Sequence, residues 1–170
     1  RASFEITYRC NIHCVHCYTD PFNTPSSIRQ ELPVGELVRI LDEMAEAEVL
    51  WLTLTGGEAF VHPHFDRIYR EAKTRGFLIS IFTNATTVSD RLIEFLRQDP
   101  PFGIDVSLHG VTRETFERVT QVDDARQAQD SDLVAFAELK VKGGLSGSMA
   151  PTSTIESRMK LSFKGVKSKE

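Results

Sequence analysis

From residue 4 to about residue 119 the apolar positions follow one repeating rhythm: a short β-rich run, a loop, then apolar residues at helical spacing. Phe4–Thr7 (FEIT) opens the series as a strand. Leu37, Ile40, Leu41, Met44 and Ala45 then fall on one helix face, with Pro33 suited to start that helix. Val49–Thr55 (VLWLTLT) is the second strand, and Phe65, Ile68, Tyr69 and Ala72 form the next apolar stripe. Phe77–Thr83 (FLISIFT) is the third strand. Ser89 suits the N-cap of a helix carrying Leu92, Ile93, Phe95 and Leu96, which Pro100 and Pro101 stop. Ile104–His109 (IDVSLH) is the fourth strand, and Thr112 caps a helix that turns Phe116 and Val119 inward. Strands two to four are nearly continuous apolar runs, as in a parallel sheet buried on both faces, and Trp51 is read as core. The alternation predicts an α/β fold with right-handed crossovers, either a doubly wound sheet or a barrel.

In both architectures the chemistry sits at the carboxyl ends of the strands. Every unusual polar stretch here follows a strand: the cysteines after the first, TGGE after the second, TNAT after the third and SLHG closing the fourth. Past residue 120 the rhythm fails. QVDDARQAQDSD is polar and aperiodic, LVAFAELKV suits one short element, and GGLSGSMAPTST reads as linker before a basic, solvated end. The expected division is a domain over 1–120 and a divergent, flexible tail over 121–170.

Composition narrows the class. At 170 residues, 41% hydrophobic and 26% charged, the chain has the balance of a globular protein with a real core. Its net charge of −4 gives no general attraction to nucleic acid or anionic lipid. No apolar run approaches the ~20 residues of a membrane span. The sequence opens on Arg1 rather than Met and carries no signal-peptide pattern. Its three cysteines are Cys10, Cys14 and Cys17. An odd number so tightly spaced makes a poor disulfide framework, and free thiols point to a reducing compartment, the cytoplasm.

Clustered thiolates are soft ligands suited to zinc, Cu(I) or iron–sulfur clusters. A structural zinc site closes a tetrahedron with four Cys or His ligands, and His13 or His16 can supply the fourth. A zinc- or iron-binding structural module therefore stays open. Against zinc stands the single loop, since such sites usually pair two short ligand hairpins. A four-iron cluster ordinarily takes four thiolates, so three leave one iron open to a small molecule.

C-x3-C-x2-C after a first strand, followed in order by TGGE, TNAT and SLHG, resembles the radical S-adenosylmethionine superfamily. CNIHCVHCY, GGEAFVHPHF and TNAT are most similar to its branch that modifies peptides or assembles cofactors. The resemblance covers residues 4–119 and implies a partial (βα) barrel of parallel strands, with about four βα units present. It implies that Cys10, Cys14 and Cys17 ligate a [4Fe–4S] cluster whose fourth iron chelates S-adenosylmethionine. His16 would lie beside the adenine. Gly56 and Gly57 would let backbone approach the methionine amino group, so a side chain at Gly57 would weaken that ligand's binding and spare the iron. Glu58 would face the ammonium or fix the turn. Asn84 would reach the methionine carboxylate, and Ser107 the ribose, with His109 where an acidic residue is common. The implied reaction is reductive cleavage to a 5′-deoxyadenosyl radical that abstracts hydrogen from a peptide or small-molecule cofactor precursor. A flavodoxin- or ferredoxin-like electron donor is the implied partner.

Other residues read more blandly. His62 and His64 fit a turn better than a metal, and Tyr18 shields the cluster or packs. Ala59 replaces the proline often found after GGE. A six-unit partial barrel of ~31 residues per unit needs ~190 residues. The pattern stops after four, so an inactive, truncated fragment is a further alternative.

Overall fold

The computed structural model describes residues 1–110 and 112–122. Apart from its first two residues, the expected tail lies outside the described residues. Four strands, β1 (Ala2–Glu5), β2 (Trp51–Thr55), β3 (Leu78–Thr83) and β4 (Gly103–Val106), form one sheet in sequence order. Every pairing is parallel. Between them run α1 (Pro25–Ile28) and α2 (Val34–Glu46), then α3 (Phe65–Thr74) and α4 (Asp90–Gln98), and α5 (Arg113–Thr120) follows β4. This is the α/β architecture of a partial (βα) barrel.

The core explains the order. Register places Phe4 beside Leu54, Leu54 beside Ile81 and Ile81 beside Ile104, which makes one apolar row across all four strands. Against it pack Leu37 and Leu41 of α2, Phe65, Ile68, Tyr69 and Ala72 of α3, and Ile93 and Leu96 of α4. Tyr69 is fully buried, and its hydroxyl donates to the Asp99 carbonyl at 2.7 Å, so that hydroxyl is not stranded. Ser89 and Thr112 cap α4 and α5 as their side chains predict, accepting from Leu92 N–H and Thr115 N–H.

Three details differ from expectation. The strand bounds differ: β1 keeps its four residues but lies two positions earlier, ending at Glu5, and the other three are shorter, β4 stopping at Val106, although single ladder bonds continue from Ile6 N–H to Thr55 O (3.0 Å) and Ser107 N–H to Thr83 O (2.9 Å). The sheet is not buried on both faces among the described residues, because Ser3, Glu5, Phe82 and Asp105 alternate with the core row and remain exposed. Trp51 shares that outcome. It is 39% exposed and packs edge-on against Phe102, with ring centroids 4.5 Å apart. Among the described residues no helix is long and apolar enough to cross a membrane.

Candidate functional site

The site begins where β1 and β2 run past their regular ends. Gly57 N–H donates to Thr7 O (2.9 Å) and Glu58 N–H to Arg9 O (2.8 Å), so the TGGE segment lies along the entrance to the cysteine loop. A Cβ on Gly56 would stand 2.4 Å from Thr7 O, and its φ of +144° already disfavours other residues. A Cβ on Gly57 would meet Arg9 O at 2.4 Å and Tyr8 O at 2.7 Å. The close approach that these glycines permit is thus to the chain's own backbone, one residue from Cys10.

Glu58 is almost wholly buried, and burial pushes its carboxyl above the usual range against three hydrogen bonds that favour the charged form. Oε1 accepts from Thr83 Oγ1 (2.8 Å) and Phe60 N–H (3.1 Å), and Oε2 accepts from Asn84 N–H (2.7 Å). The carboxylate therefore ties the β2 loop to the end of β3. Each oxygen receives a backbone N–H, so an amide must turn its own NH2 toward one of them. Glu58→Gln is expected to cost about 2–3 kcal/mol, nearly as much as Glu58→Ala. Denaturant melts of the metal-free chain check this, and wild-type stability in Glu58→Gln would contradict it.

Asn84 is the next tie. Its Nδ2 donates to Asn11 Oδ1 (3.1 Å) and lies 3.7 Å from Cys10 Sγ, while Oδ1 accepts from Thr86 N–H (2.9 Å) and Thr86 Oγ1 (2.6 Å). Asn11 Nδ2 closes the ring on Thr86 Oγ1 at 2.6 Å. Between them Ala85 holds a left-handed φ of 58°, unusual for a residue with a Cβ. The TNAT loop is thus fixed directly to the cysteine loop. Asn11 and Thr86 escaped the sequence reading.

Glu31 escaped it too. From the turn before α2, its Oε1 accepts from Thr7 Oγ1 and Tyr8 N–H, both at 2.7 Å, and its Oε2 from Arg9 Nε at 3.2 Å. Burial opposes its ionisation, but the bonds from Thr7 and Tyr8 and the Arg9 charge outweigh it, holding the carboxyl below its ordinary value. The folded-state value lies below the unfolded one. The stabilisation is therefore present above the unfolded value near ~4.3 and lost as pH falls through the folded one. Wild type should melt above Glu31→Gln at neutral pH, and the gap should close in acid. A gap that stays constant with pH would contradict this.

Cys14 is buried, and Cys10 and Cys17 are partly so. Burial pushes the Cys10 thiol up, and burial together with the neighbouring thiols pushes the Cys14 thiol up to about 11. Burial opposes the charging of Cys10 and Cys14, so a cationic group must stand beside them to hold them as thiolates. That fits an iron–sulfur cluster. Among the described residues no three His, Cys, Asp or Glu side chains are gathered so as to hold a single metal ion.

The remaining predicted residues divide. His109 reaches the cysteines, its Nε2 3.7 Å from Cys14 Sγ, and its ring lies 5.6 Å from that of His16. His13 pairs instead with Asp20, its Nδ1 2.7 Å from Oδ1. Ser107 is exposed and joins β3 through its backbone N–H. His62 is buried with Nδ1 accepting from His64 N–H at 3.0 Å, the arrangement of a turn. Tyr18 is 75% exposed, and its hydroxyl donates to Glu5 at 2.9 Å.

Residues 4–132 match the profile of the Radical SAM superfamily. The chain is 30% identical over 96 residues to the antilisterial bacteriocin subtilosin biosynthesis protein AlbA of Bacillus subtilis, across 56% of this chain and 21% of that protein. It is 31% identical over 115 residues to the AdoMet-dependent heme synthase of Methanosarcina barkeri, across 68% of this chain and 32% of that one. The fold matches the crystal structure of Streptococcus suis SuiB bound to precursor peptide SuiA, with a TM-score of 0.65 at 20% identity over 81% of this chain and 30% of that one. The chain thus spans between a fifth and a third of the two curated relatives' lengths. With the match running over more than half of its residues, from the first strand through every motif loop, the chain belongs to the Radical SAM superfamily, with its similarities in the branch that modifies peptides or builds cofactors.

Proposed function

We infer that this chain is the core of a radical S-adenosylmethionine enzyme acting on a peptide or a small cofactor precursor. The observation that carries the reading is the convergence of three thiols with the TGGE and TNAT loops at the carboxyl ends of parallel strands. Cys10, Cys14 and Cys17 would hold a [4Fe–4S] cluster, leaving one iron for the amino and carboxylate groups of S-adenosylmethionine. When bound, the cluster supplies the single electron that the family uses to cleave S-adenosylmethionine and abstract hydrogen from substrate.

The chain's own residues prepare that event. Glu58 and Asn84 fix the TGGE and TNAT loops around the cysteine loop, so the thiols need little rearrangement on binding. His16 would lie by the adenine and Ser107 by the ribose of a bound S-adenosylmethionine. A flavodoxin- or ferredoxin-like donor in the cytoplasm delivers the electron. The peptide side of the substrate choice follows the AlbA and SuiB similarities, and the cofactor side follows the heme synthase.

The test is anaerobic reconstitution with iron and sulfide, followed by dithionite and S-adenosylmethionine. Accumulation of 5′-deoxyadenosine supports the reading. Its absence from protein that carries a full cluster contradicts it.

A further inference from the structure

Helix α5 follows the last motif, and no motif falls within it, yet it closes the far side of the cysteine loop. His13 N–H donates to Thr120 O at 3.0 Å and Val15 N–H to Val119 O at 2.9 Å. These two amides flank Cys14. The last carbonyls of a helix lack partners within it and must find them elsewhere. Here Gln121 turns left-handed at φ 55° and donates to Glu117 O, which ends the helix and leaves the next carbonyls for the loop. Thr120 is wholly buried at that contact, its hydroxyl turned back on Phe116 O at 2.8 Å.

The other end of α5 is seated just as closely. A Cβ on Gly110 would stand 2.5 Å from Phe116 N and 2.9 Å from Phe116 Cα, so the segment packs directly on the helix. Gly110 follows His109, whose ring lies against Cys14 Sγ. The middle cysteine is therefore gripped twice by the chain after β4, once through a side chain and once through two backbone bonds.

We propose that α5 is a positioning element for Cys14: its last two carbonyls fix the backbone on both sides of that cysteine, and Gly110 is the residue that lets the helix seat. The proposal rests on the reading of Cys14 as a cluster ligand. It has an electrostatic consequence. Amides committed to Val119 and Thr120 are not free to donate to sulfur, and hydrogen bonds to cluster sulfurs set the reduction potential. The negative pole of α5 also faces the loop and disfavours added negative charge. Freeing the amides and withdrawing that pole both make a bound cluster easier to reduce.

The experiment starts with hydrogen exchange on the metal-free full chain. The His13 and Val15 amides should be protected in wild type. In Gly110→Val their exchange should rise at least ~10-fold, while Leu54 and Ile81 in the sheet stay protected. If Gly110→Val also loses sheet protection, Gly110→Ala takes its place. The same variants, reconstituted with iron and sulfide, should show a cluster potential displaced upward. Open-loop exchange at His13 and Val15 in wild type would overturn the proposal. So would amides that stay protected in both Gly110 variants, or loosened amides with an unmoved potential. A wild-type chain that takes up no cluster would defeat the proposed function alone, since the exchange data are collected without metal.

Discussion

Replacing Cys10, Cys14 or Cys17 singly by alanine is expected to abolish stable cluster incorporation while the sheet remains folded. The chain has three cysteines in all, so no fourth thiol can substitute. Two thiolates anchor a cuboid cluster poorly. The loop itself survives each change because other groups hold it: Glu31 at Thr7, Tyr8 and Arg9, Asn84 at Asn11, and α5 at His13 and Val15. Cys14→Ala removes a small buried side chain and costs the fold little beyond its own packing. Iron and sulfide assays after anaerobic reconstitution read the effect, with circular dichroism confirming the sheet. Full iron and sulfide in any one variant would remove that cysteine from the ligand set.

That expectation follows from residues visible in the sequence, and so does much of the fold. The helix caps at Ser89 and Thr112 and the apolar stripes of α2, α3 and α4 could be read directly, because they are local patterns with periods fixed by backbone geometry. The ties that shape the site were not local. Glu31 grips a segment more than twenty positions earlier, Thr86 meets Asn11 across 75 positions, and α5 reaches back over a hundred to His13. Nothing in the neighbourhood of Glu31 marks it from any other turn acid. Burial on both sheet faces, read from FLISIFT and VLWLTLT, is not met at every position among the described residues, although Thr53 on the second face is buried. Ser80 and Thr53 in fact kept a period of two, which leaves Phe82 and Trp51 exposed on the second face.

Gly57→Val is expected to lose the iron site together with ligand binding. This reverses the outcome suggested by the motif alone, in which a side chain hinders only S-adenosylmethionine. The decisive quantity is the 2.4 Å from a Gly57 Cβ to Arg9 O, with Tyr8 O at 2.7 Å. Both atoms are backbone and cannot swing aside, so the cysteine loop itself must move. That movement breaks the bonds from Gly57 N–H to Thr7 O and from Glu58 N–H to Arg9 O. Overpacking of this kind costs about 3 kcal/mol, and it falls one residue from Cys10. Iron per chain after reconstitution should drop in step with stability. A variant with normal iron and weakened S-adenosylmethionine binding would restore the ligand-clearance reading.

The central claim is that three thiolates hold a cluster with one iron left open to S-adenosylmethionine. Electron paramagnetic resonance of the reconstituted, dithionite-reduced chain, recorded with and without S-adenosylmethionine, tests it most directly. The account predicts about four irons and four sulfides per chain and a reduced-cluster spectrum that changes when S-adenosylmethionine is added. A single tightly held zinc with no sulfide, or a cluster spectrum indifferent to S-adenosylmethionine, would contradict it.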